Sequence, residues 1–366
     1  MGGRKSFLEN LGGLTLFDNF YQGKEVFLTG HTGFKGAWLC KLLVSAGALV
    51  TGYALEPPTL SLFRLANIEK QIIHSVYGDI RNLDTLSAAM QMAQPEIVIH
   101  LAAQPLVRAS YDDPVETYET NVMGTVNLLE SVRSCNSVRS VLNVTTDKVY
   151  KNKHWEWGYR EQDELDGYDP YSNSKSCSEL VTNCYKRSFL EDQSVAVSTA
   201  RAGNVIGGGD FSVDRIVPDC VRAATEGKDI VVRNPDSVRP YQHVLEALNA
   251  YLLIAKRQYE DAAYAGNYNI GPGDQDCCRT EELVRMFCEA WGENAKWVYK
   301  PERVAPHEEK ILKLDCGRLK DAFGWQPRWD IATAIKKTVE WSKCWASGGD
   351  INSCMDLQIQ SFFDLM

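Results

Sequence analysis

The chain has 366 residues, 44% hydrophobic and 24% charged, the balance of a globular protein large enough for two domains or one elaborated domain. Its 39 basic and 48 acidic residues give a formal net charge of −9, which argues against a nucleic-acid or anionic-membrane surface and obliges any anionic ligand to find a local basic pocket. The 11 cysteines form no C-x-x-C pair, the six histidines lack ligand spacing, and no apolar run nears the ~20 residues of a bilayer span, so the expectation is a cytoplasmic protein with free thiols and no metal.

In chain order, β-branched runs alternate with helical patterns, the signature of a parallel sheet with helices on both faces. Residues 25–29 (EVFLT) read as the first strand and 33–46 as a helix closed by Gly47. Further strands are predicted at 48–53, 71–77, 96–101, 138–145 and 195–201. Long helices are predicted at 114–134, where Pro114 fits the first turn, and at 171–190. The glycosylation pattern Asn143-Val144-Thr145 falls inside an expected buried strand and is set aside. After Asn204, the stretch GGGD and repeated prolines break the chain into shorter elements. The expected fold class is α/β: a Rossmann-type doubly wound parallel sheet over 22–204, with 241–272 returning to it. A smaller mixed α/β C-terminal substrate domain takes 205–240 and 273–348, leaving 1–21 and 349–366 as terminal extensions.

The stretch TGHTGFKG follows the first strand and opens a helix, with Gly30, Gly33 and Gly36 in G-x-x-G-x-x-G spacing. Such glycines allow a tight turn, backbone approach to a pyrophosphate and close packing of helix on sheet, so Thr32, Phe34 and Lys35 are expected beside a dinucleotide too. In GDIRN, Asp79 is placed to meet an adenine amino group beside Ile80. In HLAAQ, Leu101, Ala102 and Ala103 let a cofactor lie against backbone. Glu56 is the acid nearest the end of the second strand and favours NAD over NADP, while Arg64 and Lys35 keep NADP as the minority alternative.

YSNSK sets Tyr171 and Lys175 at i and i+4 on one helix face. A lysine one turn from a phenol, beside a positively charged nicotinamide, is expected to lower the phenol from pKa ~10 so that it can take a hydroxyl proton. TTDK then places Thr146, Asp147 and Lys148 at the end of the fifth strand. Neighbours on a strand point to opposite faces, so Asp147 and Lys148 can share one target only if the chain leaves β geometry at Asp147.

With these residues the chain resembles the extended short-chain dehydrogenase/reductase family, and within it the nucleotide-sugar 4,6-dehydratases. The resemblance runs over about 24–345 and is carried by TGHTGFKG, HLAAQPLV, TNVMGTVNLLE, YDPYSNSK, RAGNVIGGGD, NPDSVRPYQHVLE and LKLDC. It implies oxidation of a sugar at C4, elimination of water across C5 and C6, and return of the hydride to C6, with NAD as cofactor. It also implies Asp147 as acid. Most relatives place Thr-Asp-Glu here; Lys148 in the base position departs toward the CDP-glucose branch and implies CDP-D-glucose as substrate. A lysine is a base only when neutral, so partial burial and neighbouring positive charge are expected to work against the ammonium at 148.

The same resemblance implies that Arg215 and Arg239 hold the diphosphate, that Asn204 bonds near the sugar phosphate, and that His307, with Glu308, belongs to a nucleotide-closing segment. Asn121 is implied on the nicotinamide side, and His243 reads as structural. The helices at 114–134 and 171–190 resemble those that pair across a two-fold axis, implying a homodimer. A nucleotide-sugar 4-epimerase would share Tyr171 and Lys175 but has no use for an acid–base pair at 147 and 148. A non-catalytic NAD-binding regulator would need none of these four side chains.

Overall fold

Seven strands make one parallel sheet in the computed structural model, which describes residues 16–292, 295–301 and 311–364. They are β1 (Glu25–Thr29), β2 (Leu49–Ala54), β3 (His74–Tyr77), β4 (Ile97–His100), β5 (Ser140–Thr146), β6 (Ala196–Ala202) and β7 (Asn267–Ile270), in the spatial order β7-β6-β5-β4-β1-β2-β3. Every residue of β4, β5 and β6 is buried, as expected of strands covered on both faces. The order reverses between β1 and β4. In open α/β sheets the ligand crevice lies outside the carboxyl ends of the strands at such a switch point.

The first strand has the bounds expected, and its helix α1 (Phe34–Ser45) ends at Ala46 with Gly47 at φ 84°. The predicted strand at 71–77 is shorter, beginning at His74, with residues 71–73 in turn and bend geometry after the 3-10 turn Ile68–Lys70. The predicted helix at 114–134 is in three parts: Pro114–Tyr118, a π-type turn Glu119–Met123, and α2 (Gly124–Arg133). The helix α3 (Pro170–Tyr185) likewise runs into a π-type turn, Lys186–Leu190. Asn143 is fully buried and donates to Ser178 and Thr182, consistent with setting its glycosylation pattern aside.

A second core gathers over the carboxyl ends of the strands from Val217, Ile230, Val284, Phe287, Ile335 and their neighbours, supplied by the helices Ile216–Thr225, Thr280–Trp291 and Ile331–Ala346 and the short strand Ile230–Val232. The helix Val244–Glu260 belongs instead to the main core with α1. The C-terminal helix, Ile351–Phe363, docks on that same core through Met355, Ile359, Phe362 and Phe363, and its Asp356 pairs with buried Lys41 at 3.0 Å.

Candidate active site

At the switch point the glycine loop is built for close backbone approach. Gly30 sits at φ 73°, and a Cβ there would lie 2.7 Å from the amide nitrogen of Ala102 and 2.9 Å from the carbonyl carbon of Leu101. A Cβ on Gly36 would lie 2.1 Å from the Gly30 carbonyl oxygen, so α1 presses on its own loop. Gly33 caps α1 without any side-chain acceptor, which leaves the first-turn amides of α1 to an outside anion. This cradle fits a dinucleotide pyrophosphate. The Thr29 hydroxyl accepts from the amides of Leu101 and Ala102 at 3.2 Å each, holding the residues up to Ala103 beside the loop. Burial keeps His100, which bonds Thr29 at 2.7 Å, neutral with its pKa at about 3.

Other predicted cofactor residues take more specific places. The Thr32 hydroxyl donates to the Leu55 carbonyl at 3.0 Å and ties the loop to the end of β2. Ile80 is buried against Gly124 of α2. The Asp79 carboxylate is engaged by Arg81 through Nε and Nη2, which holds its pKa below the usual range. Glu56 and Arg64 pair with each other at 3.2 Å on the exposed side of β2, so one point offers both the acid and the cation that the sequence set against each other. The side-chain amide of Asn121 is engaged within the protein, accepting from Gln104 N at 2.9 Å and donating to Gln104 O and Ser174 Oγ, so it holds the HLAAQ loop on α3 from beneath.

At the other end β5 stops at Thr146 and becomes a 3-10 turn, Asp147–Val149, with the Thr146 hydroxyl accepting from the Lys148 amide at 3.4 Å. The departure from β geometry occurs at Asp147. Thr146, Asp147, Lys148 and Tyr171 consequently line one cavity of about 540 Å³, together with Lys35, Asn204, Arg215 and Arg239. Asp147 is 2% exposed; Oδ1 accepts from Thr146 at 3.0 Å, and Oδ2 is buried with no partner among the described residues. Burial raises its pKa against the pull of Lys148, Thr146 and Arg239, which favours a proton-bearing carboxyl. A Cβ on Gly203 would stand 3.0 Å from Oδ2, so a glycine there leaves the acid room.

The expected activation of the phenol by its lysine is not what the protein alone produces. Burial pushes Tyr171 up to about 12, against Thr146 and Arg215, and pushes Lys175 down to about 7, with Lys35 adding to that fall. Low-dielectric surroundings disfavour phenolate and ammonium alike. The Lys175 amine donates to the Val144 carbonyl at 3.2 Å, so it is anchored on β5.

One turn below Lys175, Glu179 is fully buried and is the hub of a network that the sequence reading missed. It receives Arg201 through Nε at 3.0 Å and Nη2 at 2.9 Å, and the hydroxyls of Thr145 at 2.5 Å and Thr199 at 2.7 Å. Arg201 goes on to the Tyr150 hydroxyl at 2.7 Å, which donates to Asn269 of β7. The network locks α3 to β5 and β6 directly beneath the catalytic corner. Replacing Glu179 by leucine strands a buried guanidinium and is expected to cost about 3–5 kcal/mol in urea unfolding, with Arg201→Met in the same chain recovering much of it. A loss under about 1 kcal/mol in the single variant would show that the pair is not structural.

Arg215 lies at the cavity wall paired with Asp210 at 3.3 Å, while Arg239 is almost fully buried and donates to the Val238 carbonyl at 2.9 Å. Arg108 and Arg233, which the sequence reading passed over, line the same cavity beside Asp214. Lys35, Arg108, Lys148, Arg215, Arg233 and Arg239 thus supply local cations for an anionic ligand of an acidic protein, among Asp112, Asp147, Asp210, Asp214 and Asp219, which line the same cavity. His307 and Glu308 lie outside the described residues. His243 is structural: it is buried, its Nδ1 accepts from Leu245 N at the start of a helix, and its ring packs on Trp329. Among the described residues, no group of three His, Cys, Asp or Glu could hold a metal ion, and no helix is long and apolar enough to cross a membrane.

The switch-point cradle, the Y-x-x-x-K helix and the strand-end acid describe a short-chain dehydrogenase/reductase. Residues 27–338 match the family model for GDP-mannose 4,6 dehydratase, and the chain belongs to that family of nucleotide-sugar dehydratases and epimerases. It is 46% identical over 351 residues to CDP-glucose 4,6-dehydratase of Salmonella typhimurium, covering 94% of this chain and 97% of the relative. Among solved structures, the UDP-glucose-4-epimerase of Stenotrophomonas maltophila with bound NAD and formylated UDP-arabinopyranose shares the fold at a TM-score of 0.78 and 21% identity, over 89% of this chain and 100% of that one. The dTDP-glucose 4,6-dehydratase of Bacillus anthracis in complex with NAD gives 0.73 and 21%, over 87% and 96%.

Proposed function

We propose that the protein is an NAD-dependent lyase that converts CDP-D-glucose to CDP-4-keto-6-deoxy-D-glucose with loss of water. The observation that carries this reading is the single cavity lined by Asp147, Lys148 and Tyr171 together, which an epimerase has no reason to assemble. The glycine cradle and the NAD-bound structures of similar fold support the cofactor, and the relative from Salmonella supports the substrate. When bound, NAD supplies the acceptor and the return source of one hydride.

The residues of the chain divide the remaining work. Tyr171 takes the proton of the sugar C4 hydroxyl, with Thr146 beside it. Lys148 removes the C5 proton, which is acidified once C4 is a ketone, and returns a proton to C5 when C6 has been reduced. Asp147, whose burial shifts its carboxyl toward the protonated form, gives its proton to the departing C6 hydroxyl. Arg215, Arg239 and Asn204 hold the diphosphate end, with Arg108 and Arg233 adding charge at the wall. In the setting we infer, the enzyme is a cytoplasmic homodimer serving deoxysugar synthesis for surface polysaccharide such as lipopolysaccharide O-antigen. Exposed Val115, Met123, Leu180 and Phe189 on the paired helical segments support the dimer.

Incubation with NAD and CDP-, dTDP-, GDP- or UDP-glucose tests the assignment. CDP-glucose should be consumed fastest and yield a product lighter by one water that absorbs ultraviolet light in base. Isomerisation without change of mass would favour the epimerase reading, and preference for another base would replace the substrate.

A further inference from the structure

Lys35 belongs to the glycine motif by sequence, yet in the structure it reaches the cavity of the strand-end residues. It lines the cavity of Asp147, Lys148 and Arg215. The same end of α1 packs on the loop that carries Asn204 and Asp210: a Cβ on Gly207 would meet the Phe34 ring at 3.3 Å, and the Trp38 indole donates to the Gly208 carbonyl at 2.9 Å. Phe34, Lys35 and Trp38 thus form the seam between the cofactor helix and the substrate loop.

The position is an unfavourable one for a cation. A positive charge in the first turn of a helix opposes the helix dipole, and α1 has no acidic residue in that turn. Arg215 and Lys175 both add like charge, and burial lowers the amine to about 8 while Asp147 and Asp210 oppose the fall. Asp210 pairs with Arg215, Asp147 accepts from Thr146 through Oδ1 and leaves Oδ2 unpartnered, and among the described residues no carboxylate pairs with Lys35. An amine and a guanidinium brought together in one cavity are groups that a bound anion stabilises.

We propose that Lys35 is a substrate-binding residue, contacting the sugar-proximal phosphate end of the nucleotide sugar rather than the cofactor. It stands between the arginine that flanks the diphosphate and the acid that faces the hexose, which is where that end must lie if the function proposed above holds.

The test is calorimetric titration of wild type, Lys35→Gln and Lys35→Arg with NAD, CMP and CDP-glucose. Lys35→Gln should weaken CDP-glucose by about tenfold or more, the effect of losing one charge-assisted hydrogen bond, while Lys35→Arg recovers most of it. CMP, which lacks the sugar-proximal phosphate, and NAD should each bind within about twofold of wild type, and they also report that the variant is folded. Lost NAD affinity with CDP-glucose retained would return Lys35 to the cofactor side, and unchanged affinities throughout would overturn the assignment alone. A wild-type protein that binds NAD but neither CMP nor CDP-glucose would overturn the substrate reading and this proposal with it.

Discussion

Tyr171→Phe should stop turnover while both ligands still bind. The variant removes one oxygen from a residue at the cavity wall, so the loss falls on proton transfer from the C4 hydroxyl, where a positioned base contributes about 10²–10⁴-fold. The pH profile carries a second signature. With the phenol near 12, the fraction that is phenolate rises as pH rises across the neutral range, and the first oxidation should accelerate with it. The positive charge of an oxidised nicotinamide shifts that limb to lower pH without changing its sign. In Tyr171→Phe the limb should vanish. The measurement is product formation against pH, with NAD and CDP-glucose binding checked separately. A variant keeping more than about a tenth of wild-type activity would remove Tyr171 from the role of base.

Where the sequence is read well, the signal is periodic or chemically unusual. Strand β1 carries the apolar run Val26-Phe27-Leu28 between Lys24 and Gly30, and its limits come out as read. The glycine motif is legible because its residues are needed for a backbone reason: Gly30 and Gly36 have no room for a side chain. Strand β7 goes unread because Asn267 and Asn269 interrupt its apolar pattern; Asn269 earns its place through bonds to Tyr150 and Tyr159. The wide turn at 119–123 is equally silent, although it sets Asn121 beneath Gln104. Glu179 and Arg201 each look like ordinary surface charge until the topology brings α3 over β6, and then each accounts for the burial of the other.

The candidate site divides on the same line. Tyr171, Lys175 and the acid at 147 are legible because their types and spacing carry chemistry. Their electrostatics are not legible, since desolvation depends on everything packed around them, and it outweighs the single lysine–phenol interaction that spacing reveals. The proposed role of Lys35 rests partly on what is legible there: a glycine motif needs no charge at that position, and the first turn of a helix disfavours a cation.

The second large effect belongs to Lys148→Met. A regular strand would send the side chains of Asp147 and Lys148 to opposite faces of the sheet. The 3-10 turn at Asp147–Val149, capped by the Thr146 hydroxyl, removes that alternation and brings both to the cavity. In the proposed reaction two neighbouring residues serve two atoms of one hexose, Asp147 at the C6 oxygen and Lys148 at C5. Methionine keeps the length of the side chain and removes the nitrogen, so folding and NAD binding should persist while elimination falls by about 10²–10⁴-fold. The direct measurement is solvent-deuterium uptake at C5, followed by NMR during incubation of the variant with NAD and CDP-glucose in heavy water. No deuterium at C5 is the predicted result, against full incorporation by wild type; uptake in the variant at the wild-type rate would contradict the account.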